Sequence, residues 1–109
     1  VQTCALPIFA PKIADTEGDG KIYNYIAMGL PIVAFDRAVS REILGDAALF
    51  AENKSVEDLA DKIIEALTDP DLAEKLGRLA RNRAVEALTW NNVAERIENV
   101  YLKKLSKAL

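Results

Sequence analysis

The sequence predicts an α/β fold built on a parallel sheet, and three observations carry that expectation. Two short apolar runs, residues 31–35 (PIVAF) and 47–51 (AALFA), have the continuous hydrophobicity of strands covered on both faces. A helical stretch separates them, which is the kind of connection that parallel strands require. Three further segments with helical periodicity follow, so the chain alternates strand and helix before ending in a helical tail.

Each element has a local reason. Apolar residues at 8–13 can hold the tail of an earlier strand, ended by Pro11 and the polar stretch through Gly20. Residues 21–28 form a short helix, with Gly29 as its C-terminal stop and Pro31 just beyond. The strand at 31–35 leads to a short helix at 40–44, ended by Gly45, and then to the strand at 47–51. Ser55 is placed to cap the next helix, with Asp58 three residues on as an imperfect capping box. Val56, Leu59, Ala60, Ile63, Ile64 and Leu67 recur at helical spacing and make one apolar face. Asp69 before Pro70 restarts a helix, a capping acid ahead of proline in the first turn. Leu72, Leu76, Leu79 and Ala80 line its inner side. Thr89 caps the last helix, whose stripe is Val93, Ile97, Val100, Tyr101 and Leu105, and Trp90 reads as an anchor against the sheet. Two or three strands are few for a complete sheet, so an unpaired edge is expected.

Composition narrows the function. A chain of 109 residues suits a single domain. Half of its residues are hydrophobic and 28% are charged, the balance of an ordinary globular protein. A net charge of −3 argues against a surface that tracks nucleic acid or anionic lipid. No apolar run approaches the roughly 18 residues of a membrane span, and a cytoplasmic location is the expectation. One cysteine cannot close an internal disulfide, and a zinc site of Cys and His has no ligands to draw on. With no histidine, the commonest general acid/base is missing. If the chain serves an enzyme, much of the acid/base chemistry is expected elsewhere.

The first eight residues stand apart. VQTCALPI back-translates as GTT CAG ACG TGT GCT CTT CCG ATC, a string that resembles a common short-read sequencing adapter. The adapter's final T can open a codon for Phe9. Residues 1–8 are therefore read as a non-native scar and Cys4 as foreign; a genuine strand through Ala5, Leu6, Ile8 and Phe9 is the alternative. On the first reading, residues 9–109 are a fragment whose true N-terminal portion is missing.

The most informative stretch is EGDGKIYNYIAMGLPIVAFD, residues 17–36: a polar glycine loop, a short helix, a Gly-x-Pro stop and a buried strand. Gly18 and Gly20, on either side of Asp19, let backbone N–H groups approach an oxyanion with no side chain between. Lys21 opens the helix, so an anion would meet both a cation and a helix N-terminus. A tight turn with a solvated lysine explains the same residues. The loop alone is neither G-x-x-x-x-G-K-[ST] nor a full G-x-G-x-x-G.

Taken together, the stretch resembles the donor-binding segment of the group 1, family 4-like glycosyltransferases with the two-domain GT-B fold. In that family a loop E-G-x-G leads into a helix ending A-x-G-x-P, and an apolar strand follows. The resemblance implies a partial Rossmann-like three-layer α/β domain, the C-terminal half of a GT-B fold, with a helical C-terminal tail. Thr89-Trp90 with Val93, Glu95 and Tyr101 resembles the family's closing helix, which returns toward the first domain. The implied activity is transfer of a glycosyl group from a nucleotide-diphosphate sugar to an acceptor, with retention at the anomeric carbon.

On the same resemblance, Gly18, Asp19, Gly20 and Lys21 would hold the diphosphate, Asn24 the ribose, and Glu17 would face the donor sugar as the catalytic position. The family often has two glutamates eight positions apart, whereas here Asn24 follows Glu17 by seven and carries no charge. An asparagine can still bond a diol, accepting at its carbonyl and donating from its amide. Glu17 reads equally as a helix-start acid favoured by the macrodipole. No cofactor beyond the donor substrate and no metal is expected. The implied partners are the nucleotide sugar and a missing N-terminal acceptor domain of the same enzyme; nucleic acid is not among them, and peripheral membrane contact would come only through that domain. A GT-B nucleotide-sugar epimerase and a non-catalytic α/β interaction domain are the alternatives.

Of the remaining candidates, Tyr23 and Tyr25 lie on opposite sides of the first helix, one expected in the core and one partly exposed. Arg37, Ser40, Arg41 and Glu42 follow the C-terminal end of a strand, where ligands of open α/β sheets bind, although ion-paired surface accounts for them more simply. Arg78, Arg81 and Arg83 share their helix with Glu74 and Glu86 and read as a solvated face.

Overall fold

The computed structural model describes residues 20–108. The scar at 1–8, the strand tail at 8–13 and the loop residues Glu17, Gly18 and Asp19 lie outside the described residues. The elements run α1 (Gly20–Ala27), β1 (Ile32–Phe35), α2 (Ala38–Leu44), β2 (Ala48–Ala51), α3 (Val56–Thr68), α4 (Pro70–Ala87) and α5 (Trp90–Ala108). The α/β class, the order of elements and the helical tail are those the sequence predicts. Strands β1 and β2 pair in parallel, from Ile32 opposite Ala48 to Phe35 opposite Ala51, with α2 as the crossover. The Asp36 N–H extends this ladder by one bond, donating to the Ala51 carbonyl at 2.7 Å.

Element ends follow from capping chemistry. Helix α1 closes in a Schellman motif: Gly29 N–H donates to the Ile26 carbonyl at 3.0 Å and Leu30 N–H to the Tyr25 carbonyl at 3.1 Å. That turn requires the left-handed region, and Gly29 adopts φ +67°. Ser55 Oγ accepts from the Asp58 N–H at 3.2 Å, as an N-cap should. The reciprocal half of the box differs from expectation. Asp58 reaches past the cap to the Glu52 N–H at 2.6 Å, because the Ser55 N–H is already donated to the Glu52 carbonyl. Asp69 Oδ1 accepts from the Leu72 N–H at 3.0 Å ahead of Pro70. Thr89 Oγ1 accepts from the Asn92 N–H at 3.2 Å, so both helix restarts occur where they are predicted.

The pleat sorts the strand residues. Ile32 and Ala34 of β1, with Ala48 and Phe50 of β2, join Ile26, Ile43, Leu44, Ala47 and Ala80 in one core contributed by α1, α2 and α4. Val33, Phe35, Leu49 and Ala51 alternate to the other face. Helix α3 lies against both strands and forms the third layer. Tyr25 packs on the core and Tyr23 is exposed, which settles the division expected for that pair.

Three expectations about faces are corrected. On α3 only Leu59 of the apolar stripe is buried, while Val56, Ile64 and Leu67 are 56%, 57% and 67% exposed. The face turned inward is narrower, through Asp58, Leu59, Lys62, Ile63 and Ala66, because a two-stranded sheet is too small to cover a full helical face. On α4, Leu76 and Ala80 are buried as expected, but Leu79 is exposed. Trp90 is 86% exposed, and among the described residues it anchors nothing. No residue of α5 is buried.

The turn after α1 fits against α4 through two glycines. A Cβ built on Gly77 would lie 2.3 Å from the Gly29 carbonyl oxygen. A helix-interior glycine costs about 1 kcal/mol relative to alanine, and here it permits the closest approach between α1 and α4.

Candidate functional site

The topology fixes which ends converge. The turn at 28–31 folds the chain back, so that Ile22, Tyr25 and Ile26 of α1 pack with Ile32 and Ala34 of β1. Helix α1 packs on α4 and shares the core with β1, and the short turn between them directs its N-terminus toward the carboxyl end of the strand. The parallel pairing brings the carboxyl end of β2 to the same edge. The starts of α2 and α3, which follow these strands directly, are there as well. This is the edge at which open α/β sheets bind ligands.

Among the sequence-predicted site residues, Gly20, Lys21 and Asn24 fall on α1, and all three are exposed. Gly20 is the first residue of α1. Nothing among the described residues lies within 4 Å of the position its Cβ would take. No packing contact among the described residues calls for glycine there. Lys21 and Asn24, three apart, share a face of the helix. Glu17, Gly18 and Asp19, the other residues of the expected cradle, lie outside the described residues.

A second constellation sits where β1 ends. Arg41 on α2 forks onto Asp36, with Nε to Oδ1 at 2.7 Å and Nη2 to Oδ2 at 2.8 Å. Its guanidinium lies 3.9 Å from the centroid of the Phe50 ring on β2. The ion-paired reading of Arg41 is thus correct, whereas Ser40 is buried in α2 rather than facing solvent. The hydrogen bond from Arg41 holds the Asp36 carboxyl below its ordinary value of 3.8, with slight desolvation opposing and the Arg41 charge adding. Because the folded-state value is depressed, the pair's contribution is present above pH 3.8 and is lost as the pH falls through the lower folded value. An NMR titration should therefore place the Asp36 midpoint below 3.8, and Arg41→Met should move it up. A midpoint indifferent to Arg41 would show that the fork does not persist in solution.

Sequence reasoning missed what α4 does. Arg81, which is exposed, and Arg83, which is half-buried, do more than line a solvated face. Arg81 Nη1 donates to the Ala27 carbonyl at the end of α1, at 2.5 Å. Arg83 donates to the carbonyls of Glu42 and Ile43 near the end of α2. Each guanidinium takes up carbonyls left over at a helix C-terminus, where a cation is favoured. Only Arg78 behaves as expected, 4.0 Å from Glu74 on its own helix. The partners lie 54 and 40 residues away, so no local pattern announces them. Gly77 did leave a signal: a lone glycine inside a helical pattern asks for a packing reason.

Among the described residues no cluster of three His, Cys, Asp or Glu side chains could hold a metal ion. No helix there is long and apolar enough to cross a membrane.

Comparison with known proteins bears on this edge of the sheet. The family model described as "Glycosyl transferases group 1" matches residues 20–83, from the first residue of α1 into α4. The chain is also similar to the spore coat protein SA of Bacillus subtilis (strain 168), 27% identical over 84 residues. The matched stretch covers 74% of this chain and 22% of that protein, so the chain corresponds to a minor part of its relative.

Proposed function

Because the chain belongs to the glycosyl transferases of group 1, we propose that it forms part of the donor site of an enzyme that transfers a glycosyl group from a nucleotide-diphosphate sugar with retention. The observation that carries this reading is Gly20, which begins α1 with nothing among the described residues within 4 Å of the place its Cβ would take. With Lys21 beside it, the start of α1 offers N–H donors, the positive end of a helix and a cation to one anion. The charge that develops as a sugar leaves its diphosphate is stabilised by such preorganised donors without rearrangement. Asn24, one turn along the same face, bonds the ribose hydroxyls, accepting at Oδ1 and donating from Nδ2. Glu17 faces the donor sugar. The acceptor and the acid/base groups come from a preceding domain of the same enzyme, which works in the cytoplasm.

The test separates the roles of the two side chains. Nucleoside diphosphate added to the chain should shift and protect the amides from Gly20 to Ile22. Lys21→Ala should weaken nucleoside diphosphate and inorganic pyrophosphate alike, by about 1–3 kcal/mol for a charge-assisted contact. Asn24→Ala should weaken only the nucleoside diphosphate, since its partner is the ribose. Binding that leaves these amides untouched, or no binding at all, would overturn the reading.

A further inference from the structure

Helix α1 is short, and its two ends are held very differently. Eight residues span about 12 Å, too little for an isolated helix to persist in water. At its start, nothing among the described residues lies within 4 Å of a Cβ on Gly20, while its end is clamped by α4. Arg81 Nη1 donates to the Ala27 carbonyl at 2.5 Å. A Cβ on Gly29 would come within 3.4 Å of the Arg81 Cβ and of the Gly77 carbonyl oxygen. The stem of Arg81 thus lies against the turn that its head group closes.

From this geometry we propose that Arg81 is a positioning residue of the donor site: it sets the direction of α1 from the far end and so places the Gly20 and Lys21 N–H groups on the diphosphate. Arg81 touches no ligand in this role. The lever is short, and a tilt of about 5° about the Ala27 end moves Gly20 by about 1 Å over a 12 Å helix. A shift of that size is enough to spoil alignment with a bound anion. The guanidinium suits the task because its planar fork is preorganised and its charge complements the helix C-terminus.

This inference rests on the reading of α1 as the diphosphate site, and the experiment separates the two. Inorganic pyrophosphate is titrated into the wild-type chain, Arg81→Ala and Arg81→Lys, at a temperature where all three are folded. Residual dipolar couplings of the Ile22 to Ala27 amides report the direction of α1. Arg81→Ala should turn those couplings and weaken pyrophosphate about tenfold, a loss of about 1.4 kcal/mol. Arg81→Lys, which still brings a cation to the Ala27 carbonyl, should restore most of both. A variant that only loosened the fold would lose stability with neither a changed direction nor a rescue of affinity. Wild-type binding with Arg81→Ala unchanged in either readout overturns the positioning role alone. Failure of the wild type to bind pyrophosphate overturns the donor-site reading, and the positioning role with it.

Discussion

Gly77→Ala is expected to destabilise the domain by about 2–3 kcal/mol, the upper part of the range for an overpacked interface. The added methyl would lie 2.3 Å from the Gly29 carbonyl oxygen, a distance that real Cβ atoms do not reach. The obstacle is backbone, so no side chain can swing aside. Either α4 retreats from the turn or the turn leaves its Schellman geometry, and both loosen α1. The core that joins Ile26 to Ala80 is lost with them. In a domain of this size such a loss lowers the melting point by roughly 10–20 °C. Urea unfolding followed by protection of the Ile43 and Leu44 amides measures it. A change under about 0.5 kcal/mol, the scale of a neutral surface substitution, would mean that the two helices are not in the contact described.

The same substitution at Gly20 is expected to act in the opposite sense on stability and to damage function. A Cβ there meets open space among the described residues, and replacing a helical glycine with alanine favours the helix by up to about 1 kcal/mol. Gly20→Ala should therefore unfold no earlier than wild type. Its diphosphate affinity should fall by more than roughly tenfold, about 1.4 kcal/mol, because the methyl stands between the backbone N–H groups and the anion. Gly20→Val, with a branched side chain at the same place, should abolish binding. Isothermal titration with nucleoside diphosphate, beside urea unfolding of the same samples, reads both quantities. A Gly20→Val chain that binds as wild type does would remove this residue from the site. The pair of glycines thus distinguishes a glycine kept for packing from one kept for a ligand.

What could be read from the sequence divides along the range of the interactions. Features decided within a few residues were legible: the stop at Gly29, the caps at Ser55, Asp69 and Thr89, and the two strands. The same holds for the placement of Gly20, Lys21 and Asn24 within about one turn of α1. Features decided across the fold were not. Val56, Ile64 and Leu67 read as core because periodicity records which face of a helix is apolar and says nothing of whether a partner is wide enough to cover it. Arg81 and Arg83 read as solvated because their acceptors are main-chain carbonyls on other helices, which carry no residue-type signature. Trp90 read as an anchor because large aromatics bury well, yet nothing among the described residues covers it.

The bareness of α5 divides the chain into two units of cooperativity. The sheet, α1, α2, α3 and α4 share buried contacts, so their loss is coupled, the condition for an all-or-none transition. Helix α5, nineteen residues with none buried, shares no such core among the described residues. It is expected to melt by the gradual fraying of a helix without a packed partner. Trp90 sits in its first turn, so tryptophan emission follows that fraying and is blind to collapse of the sheet, which Tyr25 senses. Far-ultraviolet ellipticity sums both processes and yields an apparent transition broader than either. The free energies attached to Gly77 and Gly20 are therefore expected to be properties of the sheet unit, read apart from the melting of α5.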